Sequence, residues 1–495
     1  MPYLVWAMPA LFVVAAIVSG RVSVAVAALL GLVASIPVAV WDGVTPFGFE
    51  KLGLSLARGA WIGLNIAPYV FGGLLFWRVA SRYSSKVDAK ATQHQTEQKW
   101  ALSGPTERRR RLFFATFLVG PFAESATGFG VGMLGTVGML QKFDIAPRFL
   151  MVFAMLSQTM IPWGAMSSGT VLASAYARIT PTTLGLHATV PVALLMPVWL
   201  AMFWRTARNA GIASSVSNCV REAVWIASGL LLLAAATATI GPETALLASY
   251  GMLISVYYLL TERPNSSEMV VAARKVLPFI LLISGLALTR LHPGIRGEFS
   301  SLLNITPFAD LPSLRPLLHA GIWLIVGALV TAALTRQADL LWIEAMGAWK
   351  TAHQAILTAF FFAMMAEVTT GAGIASAIAN GLMTSLRENA VLLAPLVSGS
   401  FGILANSGNP PNSLFLPSLQ ALSVQAGLSV AAVAAVQHVS GMSLGFFSPV
   451  RMTIAATLSD GKGQERSVYL FLLPYVLASF SVMTAIAFAV ISISY

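Results

Sequence analysis

Apolar stretches of about 20 residues follow one another along almost the whole of this 495-residue chain, and that repetition limits its fold more than any motif does. Hydrocarbon supplies no water to unpaired N–H and C=O groups, so such stretches are driven into helices. They fall near 3–19, 23–41 and 54–80. Beyond a polar interval they resume at 112–140, 146–180, 185–204, 222–240, 243–260, 276–291, 317–335, 351–386, 390–425, 428–459 and 467–493. Charged residues make up only 10% of the chain, whereas soluble domains carry roughly 25%. The expected fold class is an all-α polytopic membrane protein with roughly 12–14 transmembrane elements, some of them re-entrant hairpins or broken helices.

The formal charge of +11 does not point to a nucleic acid, because the basic residues lie mostly in short connections between apolar spans. The stretch 81–111 is the clearest case, with Arg82, Lys86, Lys90, Lys99 and the run Arg108 to Arg111 against Asp88, Glu97 and Glu107. Placed in the cytoplasm, it orients the chain as a multi-pass protein of the cell inner membrane, in contact with lipid. One cysteine, Cys219, excludes an intrachain disulfide and a multi-cysteine metal site, and no cofactor is implied. The apolar start from Tyr3 to Val18 has no basic region before it and reads as a first transmembrane helix, not a signal peptide.

Two segments are versions of one another: Ala123-Glu124-Ser125-Ala126-Thr127-Gly128-Phe129-Gly130-Val131 and Ala366-Glu367-Val368-Thr369-Thr370-Gly371-Ala372-Gly373-Ile374. Each sets a carboxylate and a Thr-Gly-x-Gly break inside an apolar stretch. The same offset of 243 carries Ser167-Ser168-Gly169-Thr170 onto Pro410-Pro411-Asn412-Ser413, inside a second interruption. Segment 112–140 has a further interruption at Gly120-Pro121. Duplication with interrupted helices at corresponding points is the pattern of a secondary transporter whose substrate sits between the repeats. The chain divides into scaffold helices and a basic loop (1–110), transport repeat 1 (111–205), connecting helices (206–350), transport repeat 2 (351–460) and a last transmembrane helix (461–495). Inverted repeats are expected, although counting crossings by the basic loops at Arg205/Arg208 and Arg263/Arg274/Lys275 starts both repeats on the cytoplasmic side and makes them parallel; the breaks near 124–130, 163–169, 367–373 and 406–413 are expected to meet in one mid-membrane cavity. Ala338 to Trp349 reads as an interfacial amphipathic helix.

Half-helix amino termini carry unpaired N–H groups and a partial positive charge, which suits an anion. Ser167, Ser168, Thr170, Asn406, Ser407, Asn409, Asn412 and Ser413 add neutral donors around the two breaks, and Gly128 and Gly130 let backbone approach closely. Arg451 is a candidate contact for a bound anion. Ionisable residues within spans are the candidates for cation coupling: Glu124 and Glu367, which can carry a proton or coordinate Na⁺ while ionised, and then His438. The competing reading of the two carboxylates is an ion pair that fixes packing, with Arg58, Lys142, Arg148 or Arg451 as partners. No Walker, His-Glu-x-x-His or nucleophile-elbow pattern occurs, so an enzyme is not expected.

Several of these residues together resemble the bacterial lactate permease family of L-lactate and glycolate transporters. The likeness is carried by Glu124 with Gly128-Phe129-Gly130, by Gly164-Ala165-Met166, by Asn412-Ser413-Leu414-Phe415 with Leu419-Gln420, and by Ser448-Pro449 followed by Ile454-Ala455. It spans roughly residues 110–460 and implies proton-coupled uptake of a 2-hydroxymonocarboxylate. Two places depart from the family pattern. Pro410-Pro411 stand where small hydroxyl residues are expected, and Phe446-Phe447 where a lysine and a smaller residue are expected. Another small organic anion, a Na⁺-coupled carrier of dicarboxylates or sulfonates, and a small-solute channel are the alternatives.

Overall fold

The computed structural model describes residues 2–90, 104–128, 130–212 and 215–493; Phe129 of the first motif and residues 91–103 of the basic stretch lie outside these. Among the described residues the protein is all-α, with one isolated bridge between Ile305 and Leu314. Helices α1 (Pro2–Val18), α2 (Val24–Asp42) and the long α3 (Phe49–Lys90) come first. Repeat 1 comprises α4 (Pro105–Phe113), a π-helical turn (Phe114–Val119), α5 (Gly120–Thr127), α6 (Val131–Leu140), α7 (Pro147–Leu156), α8 (Gly164–Ala177) and α9 (Pro181–Asn209). The connecting helices are α10 (Val216–Ile240), α11 (Pro242–Glu262), α12 (Ser266–Leu291), α13 (Pro293–Leu302) and α14 (Ala320–Leu334). Repeat 2 comprises α15 (Leu341–Gly371), α16 (Ile374–Leu386), α17 (Leu393–Ala405), α18 (Asn409–Gln425), α19 (Val430–Leu444) and α20 (Pro449–Leu458), and α21 (Glu465–Ile493) follows.

Ten of the described helical segments are long and apolar enough to cross a membrane, or eleven if the bent pair Pro147–Leu156 and Ile161–Ala177 is one span. The chain is a multi-pass membrane protein. The count falls below the expected 12–14 elements because α1 and α14, at 17 and 15 residues, are apolar but short.

Two expectations change in detail. Gly120-Pro121 does not interrupt its segment: Pro121 has no N–H to close an α-turn, and the helix passes through a π-turn in which Gly120 N–H reaches Ala115 O. Residues 341–349 are not a separate interfacial helix but the first turns of the 31-residue α15.

The packing is organised by α3 and α15, which run antiparallel. Arg58 pairs with Glu367 at one end (2.7 Å), and Arg78 (2.8 Å) and Arg82 pair with Glu344 at the other. Between them Gly59 faces the Met364 backbone and Gly63 faces the Phe360 ring. Small residues four apart let helix backbones approach where lipid provides no hydrophobic drive for association. A separate apolar cluster, including Val13, Leu32, Phe47, Phe362, Met365 and Phe401, seals α1 and α2 against α15 and α17.

A Cβ added at Gly59 would meet Met364 backbone, whereas one at Gly53 meets nothing within 4 Å. Gly59→Ala is therefore expected to destabilise the protein by about 1–3 kcal/mol through overpacking. Thermal unfolding in detergent should show a clear drop in midpoint for Gly59→Ala and none for Gly53→Ala.

Candidate functional site

The first break is made by glycine and filled by a carboxylate. Gly128 (φ 70°) and Gly130 (φ 78°) adopt left-handed backbone, which ends α5 and turns the chain into α6. The new helix begins with unpaired N–H groups, and Glu124 reaches across the turn to take them. Its Oε1 accepts from Gly130 N (3.0 Å), and its Oε2 accepts from Gly132 N (3.0 Å) and Gln158 Nε2 (3.2 Å). Gly128 packs on Ala165 so closely that a Cβ would collide with it, so the first break rests on the second.

At the second break the chain passes through turns after Leu156 and a short 3₁₀ segment, Ile161–Trp163. Ala165, Met166 and Ser167 are all left-handed, with φ of 48°, 52° and 56°. Right-handed helix resumes at Ser168. Three consecutive non-glycine residues in this region are strained, and the polar groups around them hold the shape. Ser167 Oγ donates to Pro242 O (2.7 Å) and Thr170 Oγ1 to Pro162 O (2.6 Å). Ser168 is buried, and its hydroxyl makes no hydrogen bond among the described residues.

In repeat 2 the breaks recur in register but in different surroundings. Gly373 (φ 74°) starts α16 at Ile374 as Gly130 starts α6 at Val131, 243 positions apart. Glu367, however, turns away from its break. It pairs with Arg58 (2.7 Å) and with Arg178 (3.4 Å), which follows α8. Those two arginines also grip Asp310 and hold its carboxyl below the usual carboxylate range, with the Arg58 hydrogen bond as the main cause. Residues 44 and 45 cover the break itself, donating from both backbone N–H groups to Ala372 O.

The last break turns at Asn406 (φ 55°), a residue type that tolerates left-handed backbone. Asn406 Oδ1 accepts from Ser448 Oγ (2.6 Å) and from Arg451 Nε (3.0 Å), while Ser448 caps α20 by accepting from Arg451 N. The start of α18 has little to offer an anion. Asn409 N–H is taken by Ser407 Oγ, Pro410 and Pro411 have none, and Asn412 N–H bonds Gly408 O. Side chains there are also engaged: Asn412 Nδ2 donates to His438 Nδ1 (2.9 Å) and Ser413 Oγ bonds Tyr176 OH (3.3 Å). The donors that sequence reasoning assigned to an anion are mostly spent within the protein.

His438 ties the two broken helices together. Thr170 gives its hydroxyl proton to Pro162 O, so at 3.0 Å it accepts from His438 Nε2, while Nδ1 accepts from Asn412. These bonds describe a neutral imidazole with its proton on Nε2. Arg451 is the opposite case. It is 7% exposed, has no acidic group within ion-pairing distance among the described residues, and buries Nη1 without a partner. Asn409 Oδ1, beside Gly169, is likewise buried and unpartnered.

Three of the four breaks therefore meet, around Glu124, Thr170, Asn406, His438 and Arg451. The break near 367–373 packs beside the last one, since Val368, Ala372 and Ile374 share an apolar cluster with Ala405, Leu414 and Phe415, but it stands away from the first. Ala126 touches α3 at Gly73 and Gly371 touches it at Ser55, 18 residues or about 27 Å away along the helix. Gln158, Arg178 and Asp310 were not expected from sequence. Arg178 ends an apolar run and reads as a snorkelling residue, and Asp310 sits in a polar loop with nothing local to single it out. Comparison with protein-family models finds no match, and comparison with curated proteins finds none either.

Glu124→Gln replaces one acceptor oxygen with an NH₂ facing N–H donors, leaving buried donors unpaired. The expected cost is about 1–3 kcal/mol, read as a lower unfolding midpoint. Glu→Gln at Glu298, an exposed residue of α13, should leave the midpoint unchanged.

Proposed function

We propose that the protein is a secondary active transporter of the cell inner membrane that imports a small monocarboxylate, L-lactate, glycolate or another 2-hydroxy acid, by cation symport with H⁺ as the coupling ion. The observation that carries this reading is Arg451. A buried guanidinium with an open N–H and no carboxylate partner, at the junction of two broken helices from different repeats, is costly unless a ligand completes it. One buried cation with an open N–H suits one carboxylate, and the unpartnered Asn409 Oδ1 suits a substrate hydroxyl. The lysine expected from family resemblance is replaced by Phe446 and Phe447, whose ring centroids lie 4.0 Å apart with the planes tilted by 31°, and Arg451 supplies positive charge a few residues on.

Coupling fits Glu124. Its carboxylate holds the first break through three N–H donors, so a proton added there removes acceptor capacity and loosens the turn that rests on Ala165. His438, bonded at both ring nitrogens, links the broken helices and would carry a proton only by giving up one of these bonds. Glu367 is committed to two arginines and suits a structural or gating role. A Na⁺-coupled carrier is the second reading. It draws support from the unpartnered amide oxygens of Asn409, Asn412 and Gln437 around the last break, which are neutral ligands of the kind Na⁺ accepts.

Proteoliposomes given an inward proton gradient should concentrate labelled L-lactate, whereas a channel would only equilibrate it. Arg451→Gln is expected to raise the half-saturation concentration at least about 10-fold, the scale of losing a buried charged partner. Normal uptake by Arg451→Gln would remove the basis of this reading, and accumulation driven only by a Na⁺ gradient would favour the second.

A further inference from the structure

The loop between α13 and α14 folds back on itself through the Ile305–Leu314 bridge, with N–H···O distances of 2.9 and 3.0 Å. Its turn delivers Asp310 to the ends of three helices. Arg58 of α3 donates from Nη1 to Asp310 Oδ1 (2.9 Å) and from Nη2 to Oδ2 (2.6 Å), the fork geometry in which a guanidinium receives a carboxylate. Arg178, one residue past α8, lies 3.0 Å from the same Oδ2 and donates to the Asp310 carbonyl at 3.1 Å. The turn also rests on α3, since Trp61 Nε1 donates to Pro312 O (2.8 Å) and Arg58 lies over the Phe308 ring. Behind this contact, Glu367 of α15 takes a further donor from each arginine.

The two acids in this ring are not equivalent. Glu367 is 4% exposed and fixed within a long helix, whereas Asp310 is 54% exposed and belongs to a loop. With Asp310 seated, two guanidiniums face two carboxylates. With it withdrawn, the ring keeps one net positive charge open to solvent. The loop also lies on a defined side: Arg58 and the basic stretch 81–111 are at opposite ends of α3, so the positive-inside bias turns the loop away from the cytoplasm.

We propose that Arg58 and Arg178 form an outer anion site for a monocarboxylate, occupied in this structure by the protein's own Asp310 carboxylate, which an incoming carboxylate displaces as the loop lifts. The choice of a carboxylate rests on the proposed function, while the site itself does not depend on transport. A tethered group competes at millimolar or higher effective concentration, so the intact protein masks the site and removal of the tethered carboxylate exposes it.

The test is calorimetric titration of the purified full-length protein in detergent with sodium acetate and with L-lactate. Asp310→Ala is expected to bind an additional carboxylate at least about 10-fold more tightly than the unmutated protein. Asp310→Glu, which restores a tethered carboxylate, should return it to the masked behaviour. Arg58→Gln with Arg178→Gln in the Asp310→Ala background should abolish the gain, Arg451→Gln in that background should preserve it, and lactamide should not bind there. No gain in Asp310→Ala while Asp310→Glu behaves as the unmutated protein, or a gain that survives loss of both arginines, overturns the proposal. A gain that persists in a protein showing no uptake in liposomes leaves this site standing and removes only the transport reading.

Discussion

Where a helix stops inside hydrocarbon, its terminal N–H and C=O groups have no water to turn to, and every other feature of the site follows from how they are satisfied. Glu124 meets that need at the first break by accepting from Gly130, Gly132 and Gln158. The carboxylate that looks most costly in an apolar segment is thus the group that makes the interruption tolerable. Because Gly128 packs directly on Ala165, the cap also sets the position of the left-handed run 165–167 and of the helix that follows it.

The two similar motifs share a left-handed glycine at one register and differ in their electrostatics. Both copies start a helix from a left-handed glycine at the same register, yet Glu124 is held by backbone donors and Glu367 by two arginines. At the 367–373 break the α2–α3 connection donates to the Ala372 carbonyl, while Glu367 is engaged by two arginines and not by the N–H groups of the new helix. A charge in such surroundings is tolerated when several partners share it, and the ring formed with Arg58, Arg178 and Asp310 supplies them.

The scaffold explains how these pieces are brought together. Ion pairs at both ends of the antiparallel α3–α15 pair fix its register, and Gly59 and Gly63 bring the two backbones close. On the far side of the site, His438 bonds one residue from each broken helix, so a shift of either helix is felt by the other. Arg451 lies where this linkage meets the Asn406 turn, and its open N–H is the place where the protein by itself is incomplete.

The sequence alone determined the class of the molecule and the places where its helices break. Long apolar runs leave a chain no alternative to helices in lipid, and Thr-Gly-x-Gly after a carboxylate marks a turn through left-handed backbone whatever surrounds it. The offset of 243 was legible for the same local reason. Beyond Arg58, named from the sequence as a partner for one of the carboxylates, partner choice was not. That Asn412 would be spent on His438, that Glu367 would find Arg178 and Asp310, and that Arg451 would find no acid are all consequences of long-range packing. Residues 58, 178, 310 and 367 are far apart in the chain, and only the tertiary fold decides which charges become neighbours. The separation of the first break from its counterpart near 367–373 has the same origin, since similar local signals were carried to different points along α3.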